Sequence, residues 1–185
     1  MASNPFHPDN LAPTWAEATS ILKGDLPGHP FHGNQYVGEF TGGAANEAVK
    51  NGAKIVNAYK SGRLNRDQLR QLLTNERDVG QDTLRGFHRA ASMSHDQIAE
   101  DMGGGNNFVD EADYAENHND EANAHEDASS AHRQAAIAAN NVVKNIDNNV
   151  DEATLVRSLD TYFAASLNAQ AASEKADATT PEHLR

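Results

Sequence analysis

Apolar residues recur at helical spacing along most of this chain. Ala45, Val49, Gly52, Val56 and Tyr59 share one stripe, which Ser61-Gly62 ends. Asn65 is placed to cap a second, longer helix in which Leu69, Leu72, Leu73, Val79, Leu84, Phe87 and Ala90 fall at helical intervals. Gly80 and Gly86 weaken that helix, by about 1 kcal/mol each relative to alanine. Ser94 is expected to cap a brief helix over residues 95–100, and Gly103-Gly104-Gly105 makes a flexible break. That triple glycine follows no strand and leads into no Gly-Lys-Ser/Thr continuation, so it reads as a hinge and not as a phosphate loop.

The most regular pattern begins at Phe108. A 3-4 spacing picks out Glu111, Ala115, His118, Ala122, His125, Ser129, His132, Ala136, Ala139, Val143, Ile146 and Val150. One heptad position therefore carries His118, His125 and His132, then Ala139 and Ile146; the other is nearly all small residues. This is a coiled-coil-like seam with an alanine-rich, close-packing half. Asn148-Asn149 predicts a turn, and Asp151 a cap for a last helix whose inward face is Leu155, Leu159, Tyr162, Ser166, Ala169 and Ala176, widened by Phe163 and Leu167. The two long helices form an antiparallel hairpin.

The N-terminal stretch breaks the pattern, because five of the six prolines fall at Pro5, Pro8, Pro13, Pro27 and Pro30. Proline fixes φ and removes a backbone donor. A short helix over residues 15–23, with Thr14 and Glu17 as capping box and Gly24 as its end, is the expected interruption. The predicted fold is all-α: an extended proline-rich arm (1–42), a helical segment (43–102), a long helical hairpin (106–178) and a tail (179–185).

Composition narrows the functions. The 185 residues carry a formal net charge of −12, which opposes a phosphate-backbone binder, so no direct nucleic-acid binding is expected. The acidity is uneven: residues 90–131 hold eleven acidic side chains and no Lys or Arg, whereas residues 63–89 hold six arginines. An acidic patch of this kind either is a solvated helix face or meets the arginines of a neighbouring subunit. With 6% aromatics and much alanine, the core buries little area per residue, and a homo-oligomer is expected to add to it. There is no cysteine, hence no disulfide or thiolate chemistry, and no apolar run implies a stable membrane anchor.

Nine histidines and many carboxylates raise the question of a metal. A di-metal helical bundle needs Glu-x-x-His, but Ala115, Ala122 and Ser129 stand three residues before the seam histidines. A zincin needs His-Glu-x-x-His, and no two histidines are four apart. Successive seam histidines lie two turns apart, about 10–11 Å at 1.5 Å per residue, too far to share an ion. They read as imidazoles packed along the seam; the alternatives are a pH-responsive interface and one ion bound by each with partners from another helix or subunit, Glu121 being near His125 on the same face. No metal, cofactor or catalytic residue is assigned, since neither a nucleophile elbow nor a distinct acid–base pair occurs.

The segment Gly28-His29-Pro30-Phe31-His32-Gly33-Asn34-Gln35-Tyr36 carries the most specific signal. Pro30 biases His29 away from the helical region and Gly33-Asn34 favours a turn. Phe31 and Tyr36 supply anchors, and the amides of Asn34 and Gln35 can bond exposed backbone; together they suit a docking peptide. The segment resembles a GxPFxGNQ(W/Y) element of structural proteins of tailed bacteriophages. That resemblance covers about a twentieth of the chain and ends at Tyr36. It implies a non-enzymatic virion component, made in the host cytoplasm and associated with the head as a minor capsid, connector or internal, ejected protein. Its partners would be capsid, portal or connector proteins. A cytosolic acidic binding module, such as an assembly chaperone or scaffold, is the alternative; a metal-dependent bundle enzyme is a third reading.

Overall fold

Local capping chemistry sets the ends of the helices in this computed structural model, which describes residues 44–74, 83–103 and 111–179. Five helices occur among these residues, and no strand: α1 (Ala44–Lys60), α2 (Arg66–Leu73), α3 (Leu84–Gly103), α4 (Glu111–Asp147) and α5 (Glu152–Thr179). The all-α expectation holds for this part of the chain. The arm with its short helix, the segment from Gly28 to Tyr36, Gly104-Gly105, Phe108 and the tail beyond Thr179 lie outside the described residues.

Helix α1 ends in a Schellman motif: Gly62 N–H donates to the Tyr59 carbonyl and Arg63 N–H to that of Ala58, both at 2.9 Å. Gly62 sits there at φ +75°, a conformation that glycine adopts without steric cost. Helix α4 ends the same way, with Asn149 at φ 50° in the glycine's place. Asn65 and Gln68 form a reciprocal capping box on α2. Asp151 caps α5 by accepting from the Thr154 N–H at 2.9 Å and the Thr154 hydroxyl at 2.7 Å.

Two boundaries differ from expectation. The continuous helix expected from Asn65 to Ala90 is divided: α2 stops at Leu73, where Thr74 turns extended (φ −156°). A new helix starts at Leu84, with Thr83 accepting from the Gly86 N–H. The apolar period ran across this break because both helices bury the same kind of face. Ser94 is likewise no cap; it lies inside α3 and its hydroxyl donates to the Ala90 carbonyl.

Helices α3, α4 and α5 form an up-down-up bundle with α4 in the middle, and α1 and α2 cover one end. At that end, the base, a continuous core joins Ile55, Val56 and Tyr59 of α1 and Leu69, Leu72 and Leu73 of α2 to Val142, Val143 and Ile146 of α4 and Leu155, Leu159 and Tyr162 of α5. Gly52 of α1 permits a close approach, since a Cβ there would lie 3.3 Å from the Tyr162 hydroxyl. Charged clips reinforce the base at the surface, Arg70 to Asp147, Arg66 to Glu152 and Lys60 to Asp160.

The other end, the tip, is built differently. From His88 outward on α3, over residues 122–132 on α4 and from Ser166 outward on α5, the buried residues are alanines, serines and histidines. Alanine clusters (Ala124, Ala128, Ala176 and Ala131, Ala135, Ala169) bring α4 and α5 close. The expected inward face of α5 is buried throughout, but Leu167 points to solvent at 40% exposure and does not widen it. We expect Leu159→Ala, which opens a void in the base, to lower unfolding stability by about 2–5 kcal/mol. Ile137→Ala, at a position 48% exposed, should stay within about 0.5 kcal/mol. Urea denaturation of both variants checks the contrast.

Candidate functional site

The chemistry of the described residues is concentrated in the tip. Histidine 88 and His95 on α3, His125 and His132 on α4, and Ser166 and Ser173 on α5 are each buried to zero exposure. On all three helices the pair is spaced by seven residues, or two helical turns, so each helix presents the same side chain twice along one line. Helices α3 and α5 run parallel and α4 runs antiparallel to both. The result is two rungs of similar make-up.

In the inner rung, Nδ1 of His88 faces Nδ1 of His132 at 3.0 Å, and Nε2 of His88 lies 3.1 Å from the Ser166 hydroxyl. In the outer rung, Nδ1 of His95 faces Nδ1 of His125 at 2.9 Å, and Nε2 of His95 lies 3.0 Å from the Ser173 hydroxyl. The rungs are joined, because Nε2 of His132 also reaches Ser173, at 2.7 Å. Ser92 and Ser129 add a further α3–α4 bond between them at 2.9 Å. The rings of His95 and His132 stack, with centroids 5.6 Å apart and planes 20° from parallel. Phe87 and Tyr162 meet the His88 ring edge-on and close the chain off towards the base.

Six side chains thus form one unbroken sequence of hydrogen bonds: Ser166, His88, His132, Ser173, His95, His125. The proton count along it is constrained. A neutral imidazole has one N–H and one lone pair. Each Nδ1-to-Nδ1 contact therefore requires one partner to carry its proton on Nδ1 and the other on Nε2. Burial holds all four rings neutral: it pushes His125 and His132 down to about 4 and His95 to about 2, and it lowers His88 well below the ordinary value, with His132 adding to the shift. The Tyr162 hydroxyl, one turn before Ser166, makes no hydrogen bond of good geometry; burial raises its pKa, and Ser166 partly offsets that rise.

Of the residues singled out in the sequence, His125 and His132 lie on the seam and inside this chain of bonds. His118 lies on α4, where its side chain is outside the described residues, as are His29, Pro30, Phe31, His32, Gly33, Asn34, Gln35 and Tyr36. The four partners His88, His95, Ser166 and Ser173 form the other half of the site. Ser166 was expected to face inward, but the histidines of α3 were not paired with the seam. A signal for them existed, in the seven-residue spacing shared by all three pairs. Among the described residues, no group of three or more His, Asp or Glu is placed to hold a metal ion. Both ring nitrogens of His88, His95 and His132, and Nδ1 of His125, instead meet one another or serine hydroxyls. No helix among these residues is long and apolar enough to cross a membrane.

Compared with protein families, curated proteins and solved structures, the chain matches none.

Two measurements test the chemistry. Ser173→Ala removes the one group that bonds both His95 and His132 and leaves two buried acceptors or donors unmet. It should cost about 2–6 kcal/mol at about 1–3 kcal/mol per orphaned group, against a negligible cost for exposed Ser130→Ala. Second, stability should depend on pH. The folded rings have depressed pKa values, so below about 6.5 the unfolded chain binds protons that the folded chain does not. Stability is therefore full above about pH 6.5 and falls as pH drops towards 4. Each histidine contributes up to about 1.4 kcal/mol per pH unit in that window. Denaturant titrations at pH 7, 6 and 5 measure the slope; a flat profile contradicts the geometry.

Proposed function

We propose that the chain is a non-enzymatic structural component of a tailed-phage particle, associated with the head as a minor capsid, connector or internal, ejected protein. The sequence from Gly28 to Tyr36 carries the phage assignment, through its resemblance to a segment of virion structural proteins. The geometry supports the non-enzymatic half. The side chains best equipped for catalysis in the described body, four imidazoles and four serines, are directed at one another inside the bundle. A body built in this way is a shaped, registered strut.

On this reading the arm docks on a neighbouring subunit and the helical body packs laterally, in a homo-oligomer and against capsid, portal or connector proteins. The acidic face favours protein over nucleic acid as the partner, with Asp120, Glu126 and Asp127 exposed on α4. The same face suits a second reading, an assembly chaperone or scaffold that binds a basic partner and leaves before the particle is complete.

Quantitative mass spectrometry of gradient-purified particles separates the two. The structural reading expects the chain in finished particles at a fixed copy number; absence from them, with abundance in the infected cytoplasm, favours the chaperone. Light scattering of the untagged protein at neutral pH adds the assembly state. A discrete ring-sized species is expected of a connector, whereas a monomer near 19.9 kDa makes assembly depend on the arm's partner.

A further inference from the structure

The base and tip of the bundle are held by different forces, and only one of them responds to protons. In the base, large aliphatic and aromatic side chains from all five helices meet. Along α3 beyond His88, by contrast, the buried positions are Ala90, Ala91, Ser92, His95 and Ala99. None of these side chains except the imidazole is large, so the histidines both fill the tip and bond it. We infer that the Ser166–His88–His132–Ser173–His95–His125 chain is an acid-released clasp, which holds the outer part of α3 against the α4–α5 hairpin while its imidazoles are neutral and frees it on protonation, with the base still folded.

The bonding explains why release is steep. A first proton on a histidine pair goes to Nε2 of the ring already protonated on Nδ1, and the imidazolium so formed still donates across the Nδ1-to-Nδ1 link to its neutral partner. A second proton sets N–H against N–H and like charge against like charge, at a separation of 2.9–3.0 Å. Each pair thus loses its bond when fully protonated, and Ser173 links the fates of the two pairs. Burial already disfavours the first proton.

Among the described residues, the charged, titratable and neutral neighbours of the clasp come from each packed helix. From α3, Asp96 pairs with Arg133 of α4 at the surface, and Arg85 donates to Asn140. From α4, Glu121 lies half-buried one turn before His125. From α5, Glu174 and Lys175 beside Ser173 are exposed, and Tyr162 stays protonated throughout the acid range. From α1, Gly52 lies against Tyr162, and Val49 and Ala53 pack on Phe163; none of the three carries a charge. The ring nitrogens of His88, His95 and His132, and Nδ1 of His125, bond other rings or serine hydroxyls and no carboxylate.

Hydrogen exchange read residue by residue on the full chain at pH 7 and pH 4.5, corrected for intrinsic rates, tests the clasp. Amides of residues 91–99 should lose protection by about 100-fold or more, since each imidazole protonated only in the open state adds up to tenfold per pH unit below about 6.5. Amides of residues 142–146 and 155–162 should keep theirs. Long-range nitrogen NMR at pH 7 should show the four histidines divided two and two between the Nδ1–H and Nε2–H tautomers. The double variant His95→Leu, His125→Leu removes two titrating groups of similar bulk, so its tip should lose far less protection on acidification. The inference is overturned by any of four results: a tip that stays protected at pH 4.5, base and tip opening together at one pH, four histidines in one tautomer, or unchanged acid sensitivity in the double variant. The first three are read on the unmodified protein and stand even if the double variant does not fold.

Discussion

Everything in the outer half of this bundle depends on keeping four buried imidazoles neutral and paired. Alanine and serine let α3, α4 and α5 approach closely, yet they bury little area, and at about 25 cal/mol per Å² they supply little cohesion. The histidines make up the difference by occupying volume and by joining three helices through a single series of bonds. Such a network is favourable only when complete. In a low-dielectric interior an unmet polar group is costly, so a partly satisfied chain is worse than an apolar core. The seven-residue repetition on every helix is what completes it.

The network also fixes register, which an alanine seam does poorly by itself. Consider α3 displaced by one heptad along α4. His95 would then face His132, and one pair would survive. But His88 would face Ala139, and His125 would face Met102. Two buried imidazoles would each lose a partner, at about 1–3 kcal/mol apiece, while the alanine contacts would be nearly unchanged. The polar chain thus discriminates against this displacement, which the small residues tolerate. This resembles the use of a single buried asparagine to set alignment in coiled coils. It accounts for a polar core where leucines would give more stability and less specificity.

What was legible in the sequence follows from how local each cause is. Asn65 with Gln68, Asp151 with Thr154, and Gly62 after Ser61 act within one turn, and each marks its helix end as expected. The inward face of α5 and the His125–His132 line on α4 also follow from periodicity alone. The break after Leu73 was hidden, because Leu69, Leu72, Leu73, Leu84 and Phe87 all face one core and keep a helical period across it. The partners of the seam histidines were hidden for another reason. His88 meets His132 across 44 residues and Ser166 across 78. No local rule connects positions so far apart, and His88 sits in an apolar stretch whose period draws attention to Phe87 instead.

A stiff, registered base and a proton-sensitive tip would give the proposed structural component two separate properties from one fold. The base needs no particular pH, because its contacts are apolar and its surface ion pairs are marginal to it. The tip's bonds require imidazoles with one proton each, and they weaken progressively as pH falls below about 6.5. In a particle component, lateral contacts made by the base and contacts made by the tip would then respond differently to the same change of medium. Any subunit that binds the closed tip must also stabilise the neutral chain, by linkage, and so shift its release to lower pH. In such a component, assembly and acid sensitivity would therefore be coupled through Ser173 and the four rings around it, though all of these side chains are buried.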